Sequence, residues 1–186
     1  MDRVAEAFAA VPRIDFLPAS QQRFAHEDRP LPIGHGATNS QPWTVNYMLR
    51  LLDVRPGDRV LDLGSGSGWT TALLAHLAGP TGEVIGVDTV PALVDLGRAH
   101  LGQRFPWARI VRAAPGVLGW PDAAPYDRIL VSADGERVPE ELEAQLAAGG
   151  RMVLPAASVM MLVERLDSGA VRRTSTGDRF TFVPLR

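Results

Sequence analysis

The residues that could bind a nucleoside lie in the first half of the chain, around a cluster of glycines. An apolar segment containing Asp62 leads into three glycines at alternate positions, Gly64, Gly66 and Gly68. Glycines let a ligand approach the backbone closely, and a helix that follows them offers free N–H groups. Asp88 ends a second apolar segment twenty positions after Gly68, where its carboxylate could accept both hydroxyls of a ribose. The pattern therefore predicts a nucleoside site.

The elements that must position these residues alternate between strand and helix. Apolar segments with strand character lie at 59–63, 83–87, 108–112, 127–132, 151–154, 159–166 and 179–185. Helical patterns lie at 43–52, 69–78, 91–101 and 139–147, after an N-terminal region that is helical in part and irregular over 28–42. Alternation of this kind predicts an α/β fold with a mostly parallel sheet between layers of helices. The ligand should then lie at the carboxyl ends of the strands.

The composition excludes several kinds of site. The chain has 186 residues, of which 46% are hydrophobic and 22% are charged, proportions typical of one soluble domain with a buried core. It has no cysteine, and its four histidines lack the spacing of metal ligands, so we expect no metal. A net charge of −2 gives no electrostatic reason to expect nucleic acid as a partner. Without a long apolar run or a signal pattern, we expect a cytoplasmic protein and no membrane contact.

The spacing of the glycines distinguishes between cofactors. A dinucleotide site typically reads G-x-G-x-x-G, whereas this loop reads D-x-G-x-G-x-G. The loop resembles the first motif of class I S-adenosylmethionine-dependent methyltransferases, and the resemblance implies S-adenosyl-L-methionine as the cofactor. The residues expected to bind it are Asp62, Gly64, Ser65, Gly66, Ser67, Gly68, Asp88, Thr89, Pro115 and Gly116. A purely structural turn and an NAD site remain as alternatives.

The segment that precedes the glycines indicates which family of methyltransferases the chain resembles. Residues 32–42 read P-I-G-H-G-A-T-N-S-Q-P and are similar to P-I-G-Y-G-Q-T-I-S-Q-P, the signature of protein-L-isoaspartate O-methyltransferases. Further segments match that family in order: V-P-R at 11–13, G-V-L-G-W-P at 116–121, A-P-Y-D at 124–127, the P-x-x-L-x-x-Q-L pattern at 139–146 and F-V-P-L at 182–185. The resemblance spans nearly the whole chain.

The resemblance implies an activity and a substrate site. Members of this family methylate the α-carboxylate of isoaspartyl residues in damaged proteins; the ester recloses to a succinimide, part of which hydrolyses to normal aspartate. A carboxylate is already ionised at neutral pH, so the transfer needs no general base and depends on positioning. The resemblance assigns the principal, catalytic role on the substrate side to Ser40. Substrate contacts are expected from Thr38, Asn39, Gln41 and His35.

The same resemblance implies an organisation for the whole chain. We expect a three-layer αβα Rossmann-like methyltransferase with an N-terminal helical and irregular extension. Residues 1–186 should form a single domain, in which 1–58 are the substrate-side segment and 59–186 the cofactor-binding core. The expected partner is a peptide or protein that carries isoaspartate, and the expected oligomeric state is a monomer.

Several departures from the family pattern keep other functions open. Residues 114–116 read A-P-G where the family has G-D-G, which removes a carboxylate expected beside the adenine. Asp134 and Glu136 add two acids near the expected mouth of the site, where they could repel an acidic peptide, and the substrate segment differs at His35, Ala37 and Asn39. One alternative is a methyltransferase that acts on aspartate in a specific peptide during natural-product tailoring. Another is a methyltransferase-like protein that binds without catalysis. Ser and Asn in the substrate segment could also serve only as caps for the helix that follows.

Overall fold

The sheet that carries the site is described by a computed structural model, which covers residues 2–185. Its seven strands lie in the order β5-β4-β3-β6-β7-β8-β9. The strands are β3 (Arg59–Leu63), β4 (Glu83–Asp88), β5 (Ala108–Arg112), β6 (Tyr126–Val131), β7 (Leu146–Ala156), β8 (Val159–Arg165) and β9 (Val171–Arg179). Strands β3 to β7 pair in parallel, while β8 and β9 are antiparallel additions at one edge. The predicted α/β fold class is confirmed.

The helices and a small hairpin complete the architecture. The helices are α1 (Arg3–Ala10), α2 (Ala19–Gln22), α3 (Pro42–Leu52), α4 (Trp69–Ala78), α5 (Pro91–Leu101) and α6 (Glu140–Glu143), and short 3₁₀ turns lie at Arg13–Phe16 and Pro121–Ala123. The segment predicted to be irregular contains an antiparallel hairpin, β1 (Leu31–Gly34) and β2 (Ala37–Asn39). None of the helices within the described residues is long and apolar enough to cross a membrane.

The central strands are apolar on both faces because helices or loops cover both sides of the sheet. One core lies between the sheet and helices α1, α3 and α4, where Met48, Leu49 and Leu73 are fully buried or nearly so. The other core lies on the opposite face and includes Tyr126 and Leu142. Helix α4 is buried along most of its length, so the turn from β3 into α4 is clamped between two packed elements.

The C-terminal third departs from the predicted elements. The helix predicted at 139–147 is wrong beyond α6, because the buried side chain of Gln145 turns the chain by binding Leu118 O and Glu141 O and accepting from Trp120 N. Strand β7 therefore begins at Leu146, earlier than the predicted 151. An apolar helical pattern alone does not reveal such a tertiary contact.

The last strand is also displaced from its predicted position. We predicted a strand at 179–185, but β9 spans Val171–Arg179. Residues 180–185 instead run past the loop after β6, where Asp134 N donates to Val183 O and Leu185 N donates to Asp134 O. Arg173 lies on β9 and binds the buried carboxylate of Glu143 through two nitrogens at 2.5 and 2.6 Å.

Close contact between α5 and the glycine loop depends on one helical glycine. A Cβ added to Gly97 would lie 2.7 Å from Ile110 Cδ1 and 3.1 Å from Gly66 O. The first of these distances is shorter than side-chain contacts allow, so something would have to shift. Gly97 therefore lets the helix approach both the sheet and the loop.

Substituting Gly97 tests this close approach. Alanine is normally the better helix former by about 1 kcal/mol, but Gly97→Ala should lower the free energy of unfolding by about 1–3 kcal/mol because the site is already filled. The matched control is Ala99→Gly on the exposed face of the same helix, which should cost about 1 kcal/mol through propensity alone. Urea denaturation of both variants measures the two effects. A stabilised Gly97→Ala protein would contradict the contact.

Candidate active site

A cavity of about 810 Å³ opens at the carboxyl ends of β3, β4 and β6. This volume lies within the range of small-molecule and cofactor sites. Its wall combines the substrate-side segment, the glycine loop and the C-terminal segment. The residues on it that we predicted to bind substrate or cofactor are His35, Thr38, Asn39, Ser40, Gln41, Gly64, Ser65, Gly66, Ser67, Asp88 and Thr89. The fold thus brings both predicted halves of the site to one cavity.

The glycine loop takes a conformation that side chains rarely allow. Gly64, Gly66 and Gly68 have φ angles of +81°, +53° and +90°, in the left-handed region where L-residues are strained. The loop is tied to β4, because Gly64 N and Ser65 N both donate to Val87 O. Gly68 does not line the cavity; it is the N-cap of α4 and packs against α5. The half-buried backbone of Gly64 and Gly66 therefore forms part of the cavity wall.

Asp88 connects the glycine loop to the next crossover. Its Oδ2 accepts from Gly66 N at 2.9 Å, and its Oδ1 accepts from Val90 N at 2.9 Å. The carboxylate is buried yet lines the cavity. An ionised carboxylate has about four acceptor positions, so two remain for ligand hydroxyls. This geometry suits the ribose-binding role that we predicted for Asp88.

Asp62 lies beneath the loop and does not line the cavity. Its Oδ2 accepts from the hydroxyls of Thr70 and Thr71 at 2.8 and 2.6 Å. Its Oδ1 and the buried Oγ of Ser65 have no hydrogen-bond partner within residues 2–185. Burial raises the pKa of Asp62 to about 6, against the lowering effect of the two hydroxyls. We expected a direct cofactor contact here, but the structure places the carboxylate where it fixes the start of α4.

Ser40 is placed to act on a ligand. It lines the cavity, and its hydroxyl makes no hydrogen bond to any residue between 2 and 185. Helix α3 begins at Pro42 with Gln41 as N-cap, and the side chain that caps its first N–H groups is that of Asp28, which accepts from Trp43 N, not that of Ser40. The interpretation of this segment as only a helix cap is therefore wrong for Ser40. His35 lies at the tip of the β1–β2 hairpin with a φ of +53° and also lines the cavity.

Arg13 is a functional candidate that the sequence did not single out. Its buried guanidinium donates to Asn39 Oδ1 and to the carbonyls of Glu27, Arg29, Asn39 and Ser40. Burial lowers its pKa to about 10, so it stays charged at neutral pH. An arginine between apolar positions near a predicted helix end was the available signal, because such a charge must find buried acceptors.

Asn39 joins the two halves of the cavity. Its Oδ1 accepts from Arg13 Nε at 2.7 Å, and its Nδ2 donates to Ser67 Oγ at 3.2 Å. The side chain is buried, and both ends of its amide are occupied. Asn39 therefore uses its amide to connect Arg13 with Ser67, and a substrate contact of the kind that we predicted would have to compete with these two hydrogen bonds. Arg13, Asn39 and Ser67 form a continuous link from the N-terminal segment to the glycine loop.

The loop after β5 has a different role from the one predicted. Ala113, Val117 and Leu118 line the cavity, whereas Pro115 and Gly116 are exposed and lie off its wall. The predicted adenine contact at 115 and 116 is therefore not where the structure places the cavity. Ala113 and Leu118 beside them offer apolar packing surface for a flat ring instead.

The two acids beyond β6 do not line the cavity. Asp134 accepts from Ser158 N at 3.0 Å and from Ser158 Oγ at 3.1 Å, which engages its carboxylate away from the wall. Glu136 is exposed and also lies off the wall. Neither carboxylate therefore lies on the wall where a substrate would bind.

Comparison with known proteins places the chain in a family. The family model described as protein-L-isoaspartate (D-aspartate) O-methyltransferase matches residues 1–186. The chain belongs to this family. A relative from Methanopyrus kandleri, a protein-L-isoaspartate O-methyltransferase, is 45% identical over 99% of this chain and 83% of the relative. One of the same name from Anaeromyxobacter dehalogenans is 46% identical over 98% of this chain and 88% of the relative.

Solved structures agree with this assignment to the protein-L-isoaspartate O-methyltransferase family. One such enzyme aligns with all of this chain at 25% identity and a TM-score of 0.89, and this chain spans 62% of its length. Another, from Plasmodium falciparum in complex with S-adenosyl-L-homocysteine, aligns at 25% identity and a TM-score of 0.84 over 91% of that chain. The predicted methyltransferase class and the cofactor S-adenosyl-L-methionine are confirmed. The alternative of an NAD site is therefore wrong.

The site fits this cofactor on its own geometry. The half-buried backbone at Gly64 and Gly66 has no side chain to block a ligand, and an added Cβ at Gly66 would lie 3.1 Å from Ile33 Cδ1. Asp88 offers free acceptor positions at the end of β4, and Thr89 and Leu93 line the adjoining wall. These residues would hold the ribose and the part of the cofactor that lies against the backbone of the glycine loop.

Asp88→Ala tests the ribose site. The substitution removes the carboxylate that would accept from two ribose hydroxyls. We therefore expect the binding of S-adenosylhomocysteine, measured by calorimetry, to weaken at least about tenfold. Asp95→Ala is the matched control, since that carboxylate is 79% exposed on α5. The Asp95 variant should bind like the wild type. Equal affinity of the Asp88 variant and the wild type would show that the ribose lies elsewhere.

Asp62→Asn tests the ionisation of the buried carboxyl. A pKa of about 6 in the folded protein, against about 4 in an unfolded chain, means that the folded state holds the proton more tightly. The stability contributed by Asp62 is therefore full below about pH 4 and is lost as the pH rises through about 6. Asparagine cannot ionise and does not lose this stability. The free energy of unfolding of Asp62→Asn, relative to that of the wild type, should therefore rise by about 3 kcal/mol from about pH 4 to about pH 7. Urea denaturation across this range measures the gain, and a variant no more stable relative to the wild type at about pH 7 than at about pH 4 would contradict the raised pKa of Asp62.

Proposed function

We propose that this chain transfers the methyl group of S-adenosyl-L-methionine to the α-carboxylate of isoaspartyl residues in damaged proteins or peptides. The observation that carries the proposal is the single cavity shared by the glycine loop with Asp88 and by the segment around Ser40. Family membership supports the same reaction, and protein-L-isoaspartate O-methyltransferases from Methanopyrus kandleri and Anaeromyxobacter dehalogenans are each about 45% identical to the chain.

The chemistry requires little beyond positioning. When bound, the cofactor supplies an electrophilic methyl group on sulfur. The substrate carboxylate is ionised at neutral pH, so the chain's residues need not remove a proton. Their work is to hold the carboxylate in line at contact distance and to exclude water, which lowers the barrier by pre-organisation. The free hydroxyl of Ser40 can donate to one carboxylate oxygen and leave the other to react.

Neighbouring polar groups can orient the substrate without competing for charge. Thr38 and Gln41 line the cavity beside Ser40 and carry no charge. The carbonyl of Ser40 accepts from Arg13 at 2.9 Å, which fixes the backbone of the substrate segment. His35 at the hairpin tip also lines this wall. These residues form the proposed carboxylate site, with Ser40 as the catalytic residue.

The proposal extends to the context of the reaction. The partner is an isoaspartyl peptide or protein, and we propose that a single domain, 1–186, acts as a cytoplasmic monomer. The net charge of −2 gives no support for nucleic acid as a partner. Within the described residues, no group of His, Cys, Asp or Glu is placed to hold a metal ion.

Paired peptides provide the direct test of the substrate. Methyl transfer is measured with an isoaspartyl peptide and with its aspartyl twin, which differ only in the linkage at one residue. Preference for the isoaspartyl peptide is the expected result. Methylation of the aspartyl peptide alone would instead favour a peptide-tailoring enzyme. Binding of S-adenosylhomocysteine with no transfer to either would indicate a non-catalytic protein.

Ser40→Ala separates catalysis from folding. Loss of the hydroxyl should reduce methyl transfer at least about tenfold while binding of S-adenosylhomocysteine stays unchanged, because Ser40 is placed on the substrate side. Stability should also stay within about 0.5 kcal/mol of the wild type, since the hydroxyl caps nothing. Exposed Ser20→Ala on α2 is the matched control and should change neither quantity. Full turnover by Ser40→Ala would remove Ser40 from the reaction.

A further inference from the structure

We propose that the ring of Trp43 forms a docking surface for an apolar side chain of the substrate peptide, close to the isoaspartyl residue. The inference rests on the proposed function and adds a rule of specificity to it. The surface is defined by Trp43, Val117 and Val183, which we term the apolar rim.

The apolar rim collects most of the exposed large hydrophobic side chains of the described residues. The large hydrophobic side chains that are more than about one third exposed are Ile14, Trp43, Val117, Leu166 and Val183. The three that form the rim all line the cavity. Trp43 is the most exposed, at 54%. Exposed apolar side chains that cluster at a cavity mark an interaction site, whereas scattered ones need no explanation.

The ring of Trp43 is held in place by its neighbours. It stacks on Tyr47 with a ring-centroid distance of 5.5 Å and an interplanar angle of 17°. It also stacks on Phe180, with a centroid distance of 5.8 Å and an interplanar angle of 21°. The hydroxyl of Tyr47 donates to Asp178 Oδ2 at 2.6 Å, which fixes the supporting ring. A large ring that is already ordered loses little conformational freedom when a ligand binds.

The backbone also fixes Trp43 relative to the substrate site. Asp28 Oδ1 accepts from Trp43 N at 2.8 Å, and Asp28 Oδ2 accepts from Gln41 Nε2 at 3.0 Å. Trp43 follows Ser40 by three positions, so their Cα atoms are at most about 10 Å apart. One extended peptide residue spans about 3.3 Å. The ring is therefore within reach of a side chain one to three residues from the isoaspartyl residue.

The charges around the ring favour an apolar occupant over a basic one. The carboxylates of Asp28 and Asp178 are hydrogen-bonded to Gln41, the backbone of Trp43 and Tyr47, and neither lines the cavity. Arg179 lines the same cavity and would repel a lysine or arginine side chain. An aromatic side chain can bury apolar area and stack on the free face of the indole.

The test uses isoaspartyl peptides that differ at one flanking residue. Phenylalanine, serine or lysine is placed one, two or three positions to either side of the isoaspartyl residue. At one or more positions, the KM of the wild type should be about tenfold lower for the phenylalanine peptide than for the serine peptide, with kcat similar. Trp43→Ala should bring that ratio close to one. Leu166→Ala, an exposed apolar residue off the cavity, is the matched control and should keep the ratio.

A second variant covers the case in which Trp43→Ala fails to fold. Trp43→His keeps a planar ring against Tyr47 and Phe180 but presents less apolar area, so the ratio should fall while thermal unfolding stays near that of the wild type. A binding readout accompanies the kinetics. Phenylalanine peptides should change the tryptophan fluorescence of the wild type saturated with S-adenosylhomocysteine, and this change should be smaller in Trp43→His.

The outcomes distinguish this surface from the reaction itself. Methylation of every isoaspartyl peptide with the same KM, whatever its flanking residue, would overturn the apolar rim and leave the proposed function intact. A preference for the lysine peptide would overturn it in favour of a cation site. Failure to methylate any isoaspartyl peptide would remove the proposed function, and the rim with it.

Discussion

A single buried guanidinium, that of Arg13, holds the substrate side of the cavity in place. Its donors are shared among one amide oxygen and four backbone carbonyls between Glu27 and Ser40, so the chain around the substrate site is shaped by one cation. Burying a charge is costly unless its hydrogen bonds are satisfied, and here five acceptors satisfy them. Through Asn39 the same cation is coupled to Ser67 in the glycine loop. The distance between the nucleophile and the methyl donor thus depends on a group that touches neither.

The parts of the fold that the sequence predicted are those governed by local pattern. Strands β3, β4 and β6 were found because continuous apolar runs signal strands covered on both faces. The short α6 and the early start of β7 were missed because the side chain of Gln145 ends the helix by reaching residues near Leu118. The displaced β9 has a different cause. Its polar, mostly exposed residues carry little apolar signal, and residues 180–185 attracted the prediction instead.

The residues of the site also divide into those that the sequence predicted and those that it did not. The glycine loop, Asp88 and the segment around Ser40 were predicted, since motif spacing indicates which residues face a ligand. The position of Asp62 beneath the loop was not predicted, because the pattern does not show that two threonine hydroxyls on α4 would take its carboxylate. The roles of Arg13 and Asn39 depend on partners far along the chain. Composition and periodicity carry no information about such pairs.

The C-terminal wall of the cavity is joined to the N-terminal wall by contacts that span most of the chain. The bond from Tyr47 to Asp178 connects residues 131 positions apart. Closing a loop of that length costs entropy that is recovered only after the intervening sheet has formed. Residues 180–185 belong to no sheet ladder; they are held by backbone bonds to Asp134 and Ser158 and by the packing of Phe180 on Trp43 and Tyr47. We therefore expect this wall to form late in folding, after the sheet that brings Asp134 and Ser158 into position.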